Sequence, residues 1–543
     1  MLGNGIGSDT FDYIVVGGGT AGCVMAARLS EDERNSVLLI EAGSDSDAND
    51  PSSPLRDASQ LVLEGYNWNY EANLSDTDRY SDLFVEKSHE DEKKAVEKLF
   101  AYKAGKVMGG SSAVNGAVAL RGFPSDFDQW AAMGCPIWSW DKMQPWFCRL
   151  ETDLDFHDNE NHGKSGPLRI RRPTPEELHP LDAAFSEACQ EYEIPYIDDL
   201  NSGEATGVGL VPSNVGDNAE RIDVYRSYLE PVVKRDNLDI ITNAIVARVN
   251  FVKNKATSVT IVKDGKEIHL NASHIVLCAG TIGTAALLQR SGVGDSQHLK
   301  ALDIPVVADL PAVGKNLQDH SAVVLWALPK EGVCTSGLPW RQVAARLSSG
   351  YDSQVDVQIG LLNNVSSRTV PRFSSQGSHS MLVGASVMLM RPEARGRVFI
   401  NSKSPEDPPT IDFPIKHCDT DIKRIIGGVR KIWNILKNSK IDQYLEGIQI
   451  WSDSMINNDA VMYSAMKNLI NPGWHASGTV CMGSPDNPHT AAQENGAIHG
   501  LESITVADAS LFPSIPSMPT NLTTIMIAER IANILLGREH YEL

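Results

Sequence analysis

The run Phe11-Asp12-Tyr13-Ile14-Val15-Val16 enters the glycine turn Gly17-Gly18-Gly19-Thr20-Ala21-Gly22, and a helical pattern follows over residues 20–30. Val37-Leu38-Leu39-Ile40 then reads as a second buried strand that ends on Glu41 and Ala42. Strand, Gly-x-Gly-x-x-Gly, helix, strand and acid, in that order, constrain the fold more than any other stretch. Together they are the βαβ fingerprint of a dinucleotide site. Gly17 allows the tight turn, Gly19 lets a pyrophosphate approach the backbone, and Gly22 lets helix and strand pack closely. Thr20 and Ala21 open the helix, whose free N–H groups and positive end favour phosphate. Glu41 falls where a carboxylate accepts from ribose hydroxyls. That position disfavours a 2′-phosphate and therefore NADP; FAD and NAD both stay open on the fingerprint alone.

Composition narrows the class further. A chain of 543 residues suggests two to four domains at roughly 100–200 residues each. With 42% hydrophobic and 22% charged residues it is neither disordered nor fibrous. Lys+Arg number 48 against 69 Asp+Glu, a net charge of −21, which repels nucleic-acid phosphates. The eight cysteines form no C-x-x-C pair and are expected as reduced core thiols. No apolar run approaches the roughly 18 residues of a membrane span. The N-terminus has neither the basic nor the apolar region of a secretion signal, so a cytoplasmic protein is expected.

Farther along, residues 86–98 form a run of mixed charge expected as a solvated loop or short helix. Residues 246–252 and 275–279 read as strands, and Ala279-Gly280-Thr281 opens a helix over 282–290. Residues 320–465 lack helical periodicity until 419–437, and the alternation Val355-Asp356-Val357-Gln358-Ile359 reads as a half-exposed strand. These patterns predict a second, sheet-containing domain that interrupts the first. Near the end, residues 503–508 read as a strand, a loop carries Pro513, Pro516 and Pro519, and a helix over 521–536 stops at Gly537.

The loop Gly105-Lys106-Val107-Met108-Gly109-Gly110-Ser111-Ser112-Ala113-Val114-Asn115-Gly116 resembles the first signature of the glucose–methanol–choline (GMC) flavin oxidoreductases. The stretch from Ala279 to Gly294 is similar to the second, with Gly283-Thr284 where the family usually has Ser-Pro. Val313-Gly314-Lys315-Asn316-Leu317-Gln318-Asp319-His320, Arg391-Pro392 with Arg395-Gly396, Trp474-His475-Ala476-Ser477-Gly478-Thr479, and Val506-Ala507-Asp508-Ala509-Ser510 also match in order. Within the family, Arg121 to Trp130, the Trp474 run and Thr520-Asn521-Leu522 resemble 5-hydroxymethylfurfural oxidases and aryl-alcohol-type members.

The resemblance implies an α/β fold: a Rossmann-like FAD-binding domain (1–165, 225–318 and 466–543) and an interrupting α+β substrate domain on an antiparallel sheet (166–224 and 319–465). It implies oxidation of a primary alcohol, with oxygen or another acceptor taking the electrons; the oligomeric state is open. His475 matches the catalytic histidine. An alcohol surrenders a carbon-bound hydride and a hydroxyl proton, and histidine suits the proton best near pH 7. The second active-site position falls on Asn521, which cannot be a base but can orient the hydroxyl, or can merely cap its helix. Asn115 and Gly116 are expected against the flavin ring and Asp508 at its ribityl or pyrophosphate chain. Trp68 is expected near the ADP half, and Trp474 as a wall for flat substrates. Val107, Gly109, Gly110, Ala117, Val118, Val246, Ala279, Gly280, Ala509, Thr520 and Leu522 complete the expected cofactor contacts. Val114 stands where some members attach FAD covalently through histidine, so non-covalent FAD is expected. His320 and His499 are expected as structural. A flavin-containing hydroxynitrile-lyase-type activity is the alternative function.

Overall fold

The computed structural model describes residues 10–45, 50, 52–60, 63–75, 99–203, 205–370, 373 and 380–538; the mixed-charge run 86–98 lies outside them. The strand Thr10–Val16 pairs in parallel with Val37–Ile40 on one side and with Asn271 to Leu277 of the long strand Lys266–Leu277 on the other. Leu238–Ile241 and Ile504–Val506 extend the parallel part at either side. Lys255–Lys263 and Ile245–Val252 add an antiparallel meander. All four residues of Val37–Ile40 are buried, as a parallel strand covered on both faces requires. The helices Thr20–Leu29 and Asn521–Leu535 pack against each other, so the two ends of the chain meet beside one sheet. Gly17, Glu41 and Ala279 therefore follow the carboxyl ends of neighbouring strands, the edge where open α/β sheets hold ligands.

A second sheet is antiparallel, in the order Leu445–Ile448, Ser321–Pro329, Met381–Leu389, Val357–Ser366, Val343–Leu347, Gly207–Leu210. Helices Asp419–Leu436 and Pro180–Glu191 cover one face. The other looks toward the first sheet, and the two-residue period of Ser321–Pro329 turns Ala322, Val324 and Trp326 that way.

Two expectations are corrected, and one alternative falls away. The strand expected to be half-exposed near 355–359 is buried from Val357 to Leu361, because Gln358 faces an internal cavity and not bulk water. The helix expected over 282–290 begins at Gly280, whose N–H donates to Oδ2 of Asp508 at 2.9 Å, a cap supplied from 228 residues away. Asn521 does not cap its helix; Thr520 occupies that position. All eight cysteines are free, with Cys23, Cys135, Cys189, Cys278 and Cys481 buried. Among the described residues, no helix is long and apolar enough to cross a membrane.

Candidate active site

A cavity of about 1890 Å³ lies between the carboxyl edge of the first sheet and the uncovered face of the second. Gly17, Gly19, Thr20, Ala21, Glu41 and Ala42 line its first-sheet end, with Val246, Ala279 and Gly280 beside them. Trp68, Gly110, Asn115, Gly116 and Val118 form a side wall. Trp474, His475, Asp508, Ala509, Thr520 and Asn521 close the opposite wall. Five expected contacts do not reach it. Gly22 works by packing: a Cβ there would stand 1.7 Å from the Gly17 carbonyl oxygen. Val107 is buried in a small apolar cluster, Gly109 donates its N–H to Gly18 at 2.8 Å, Ala117 donates to Oδ1 of Asn115 at 2.9 Å, and Leu522 faces the core.

The first-sheet end fits a dinucleotide. Gly17 turns with φ +98°, and the helix Thr20–Leu29 starts at Gly19 with no side-chain cap, leaving backbone N–H groups for phosphate. Glu41 is buried, and its two oxygens accept from the N–H groups of Gly18 and Gly43, each at 2.7 Å. Burial lifts its carboxyl to about 7 against the pull of those N–H donors. Each oxygen keeps lone-pair capacity for a ribose hydroxyl. Trp68 stacks on Tyr70 at 5.7 Å, with Nζ of Lys106 4.5 Å from its ring. The carboxylate of Asp508, expected on the cofactor, is engaged by its own chain. Oδ2 accepts from Gly280 N–H and the Thr284 hydroxyl (2.9 and 2.6 Å), and Oδ1 from Ser510 N–H and hydroxyl (2.9 and 2.6 Å).

At the other end, the chain is built to project His475. Gln318 pairs with Ser477, and Ser321 with Pro472. Between these pairings lie Asp319 and His320 on one side, but Gly473, Trp474, His475 and Ala476 on the other. The excess bulges into the cavity. Trp474 lines the cavity, sits at φ +61° and is 54% exposed, its ring 6.0 Å from that of Phe100. A tryptophan in the left-handed region needs to be held there. Asp319 does this: Oδ1 accepts from the His475 N–H at 2.9 Å and Oδ2 from the Tyr102 hydroxyl, while Gly473 N–H donates to the His320 carbonyl at 2.6 Å. Burial raises the Asp319 carboxyl to about 7.

The His320 ring is fully buried. Its Nε2 is 3.0 Å from the Pro516 carbonyl, and its Nδ1 is 2.9 Å from Nδ1 of His475. A carbonyl only accepts, so Nε2 of His320 carries a proton. Burial, with His475 as a second cause, drives the His320 pKa well below its ordinary value, so the ring is neutral and its Nδ1 is bare. His475 must then donate from Nδ1, which leaves its Nε2 unprotonated. Burial also pushes His475 down to about 4, keeping it neutral at pH 7. The arrangement is a neutral imidazole whose bare nitrogen is selected by a neighbour, the form a general base requires. His320 is thus more than the structural residue expected, whereas the His499 ring meets the Thr490 hydroxyl at 3.2 Å, away from this pair. Nδ2 of Asn521 is buried with no hydrogen-bond partner among the described residues, as befits an amide whose partner is a bound molecule. Tyr102, Phe100 and Trp340 carry no local signal in sequence; Asp319 lies in the matching run that ends at His320, but its hold on the His475 backbone appears only in the folded chain.

Residues 11–322 and 392–528 match the N- and C-terminal family models of GMC oxidoreductases. The chain belongs to this family: it is an FAD-dependent oxidoreductase acting on CH–OH donors. It is 30% identical to a 5-(hydroxymethyl)furfural oxidase of Methylovorus sp. (strain MP688), over 97% of this chain and 98% of that one. It is 32% identical to an oxygen-dependent choline dehydrogenase of Chromohalobacter salexigens, over 97% and 95%. The crystal structure of a pyridoxine 4-oxidase from Mesorbium loti superimposes with TM-score 0.86 at 27% identity, over 98% of this chain and 100% of that one.

Proposed function

We propose that the protein oxidises a primary aromatic, furanic or allylic alcohol to its aldehyde, with His475 as the base. The contact between His320 and His475 carries this reading, because it leaves a neutral His475 with Nε2 free for the hydroxyl proton. Asn521 beside it accepts from the substrate hydroxyl or donates to the alkoxide and orients it. Trp474, Phe100 and Trp326 supply flat apolar walls that suit an unsaturated ring. FAD, when bound, supplies the acceptor for the carbon-bound hydride. Gly17, Gly19 and Thr20 would hold its pyrophosphate and Glu41 its adenosine ribose, with Asn115 and Gly116 beside the ring. Val114 on the wall offers no atom for a covalent link, so acid precipitation is expected to release the flavin.

The furfural oxidase relative supports this substrate class. A choline-type substrate is less well served: a quaternary ammonium calls for aromatic faces backed by negative charge. The cavity wall beside the second sheet offers the rings, but the charged groups next to its strands are Arg341 and Arg368. The test is anaerobic mixing of the FAD-loaded protein with benzyl alcohol and 5-hydroxymethylfurfural. Bleaching of the flavin band is expected; an unbleached flavin across such alcohols would favour non-redox lyase chemistry on the same scaffold.

A further inference from the structure

We infer that Arg341 is a specificity residue for an anionic group, a carboxylate, at the end of the substrate remote from its hydroxyl. The inference rests on the alcohol-oxidising reading above and names the class of alcohol.

Position comes from the register of the second sheet. Ala322, Met388 and Gln358 form one cross-strand row, and Val324, Ser386 and Gly360 the next. The first row adjoins the base: a Cβ on Gly473 would lie 3.3 Å from Cε of Met388 and 3.4 Å from Nδ1 of His475. Arg341 is anchored at the second row, where its Nη2 donates to Oγ of Ser386. Two residues along a strand span roughly 7 Å. Arg341 and His475 therefore face the same cavity with about the length of one substituted aromatic or furan ring between their anchors.

The guanidinium is held without a direct ion pair. Its carbon lies 5.1 Å from the centroid of the Trp340 ring, which in turn packs onto the signature loop: a Cβ on Gly116 would stand 2.2 Å from Cζ2 of Trp340. Nε donates to the Leu361 carbonyl at 3.4 Å. Among the described residues Arg341 forms no ion pair, and Nη1, which has no protein partner there, is not among the buried unsatisfied atoms, so it faces the cavity. Asp182, the acid whose charge acts on it, makes no direct contact with it. Its Oδ2 accepts from Asn363 at 2.7 Å, and burial, opposed chiefly by Arg341 itself, raises its carboxyl to about 7. The acidic residues that line the cavity, Glu41, Glu64, Glu406, Asp407 and Asp508, belong to other elements than this sheet. A planar cation presenting free N–H groups in a partly desolvated site recognises a carboxylate bidentately.

The test uses the FAD-loaded full-length protein and three matched alcohols: 4-(hydroxymethyl)benzoate, benzyl alcohol and (4-hydroxymethyl)benzyltrimethylammonium. For wild type, kcat/KM is expected to rank anion over neutral over cation, with the first gap about 10- to 100-fold. Arg341→Met should collapse that gap and Arg341→Lys should keep part of it. Titration calorimetry with 4-methylbenzoate, which has no hydroxyl to oxidise, gives a second readout: binding should weaken by about 10- to 100-fold in Arg341→Met. Equal or reversed ranking in wild type, or 4-methylbenzoate binding untouched by Arg341→Met, overturns the inference. If none of the alcohols reduces the flavin, the alcohol-oxidising reading fails, while the calorimetry still decides whether Arg341 holds a carboxylate.

Discussion

Nδ1 of His320 lies 2.9 Å from Nδ1 of His475, and the rings meet edge to face at 80°. Because Nε2 of His320 is committed to the Pro516 carbonyl, the pair has one consistent proton arrangement, and it exposes Nε2 of His475 to the cavity.

His320→Ala removes the acceptor that selects this arrangement. The flavin-reduction rate should fall, by less than the roughly 10²–10⁴-fold of losing the base itself. His320→Asn places an amide oxygen near the old Nδ1 position and should recover part of the loss. The pH profile is the discriminating readout: the acid limb should move in His320→Ala and return toward wild type in His320→Asn. Equal rates and profiles in both variants would reduce His320 to a packing residue.

Glu41→Gln keeps the size of the side chain but removes the carboxylate proposed to accept from ribose hydroxyls. FAD should be lost more readily on dilution or gel filtration, with its Kd raised by about 10- to 100-fold. Added FAD should restore activity. A variant that holds FAD as tightly as wild type would show that Glu41 only braces the Gly18 and Gly43 turns.

A separate buried network offers a stability test. Nδ1 of His162 contacts Glu151 and Asp153 at 3.0 Å and Nε2 contacts Asp199 at 3.1 Å, while Arg121 and Arg172 supply the remaining positive charge. Burial alone would lower the His162 pKa, but hydrogen bonds to Asp153, Asp199 and Glu151 raise it to about 10. A group raised in the folded state stabilises fully below its unfolded pKa of about 6.5 and loses that contribution as pH rises through its folded value. His162→Gln should cost roughly 3–5 kcal/mol at pH 6. The gap in Tm between wild type and variant should narrow from pH 6.5 to 10. A gap independent of pH would mean that His162 is neutral in the network.

The phosphate end of the cavity was legible because its determinants are local. Turn, helix start and second strand are set by residues 17–41, and Glu41 and Gly22 stand where spacing puts them. His475 and Asn521 were found by resemblance, and the structure sets them on one wall. The corrections share a cause: contacts between residues far apart in the chain. Asp508 was engaged by a helix 228 residues away, His320 met a histidine 155 residues away, and Gln358 faced a cavity closed by another sheet. Arg341 had no motif around it, and only its hydrogen bond to Ser386 on the second sheet reveals where it sits.

The most direct measurement is the anaerobic flavin-reduction rate with a good alcohol across pH, for wild type, His475→Ala and Asn521→Ala. Wild type should lose rate on the acid side only well below pH 6.5, since burial holds His475 near 4 and a base works only when unprotonated. His475→Ala should retain FAD and fold yet reduce roughly 10²–10⁴-fold more slowly at pH 7. Its deficit should shrink at high pH as alkoxide forms unaided. Asn521→Ala should cost less, because it removes orientation and not the proton acceptor. If His475→Ala reduces its flavin as fast as wild type at pH 7 while Asn521→Ala does not, His475 is not the base.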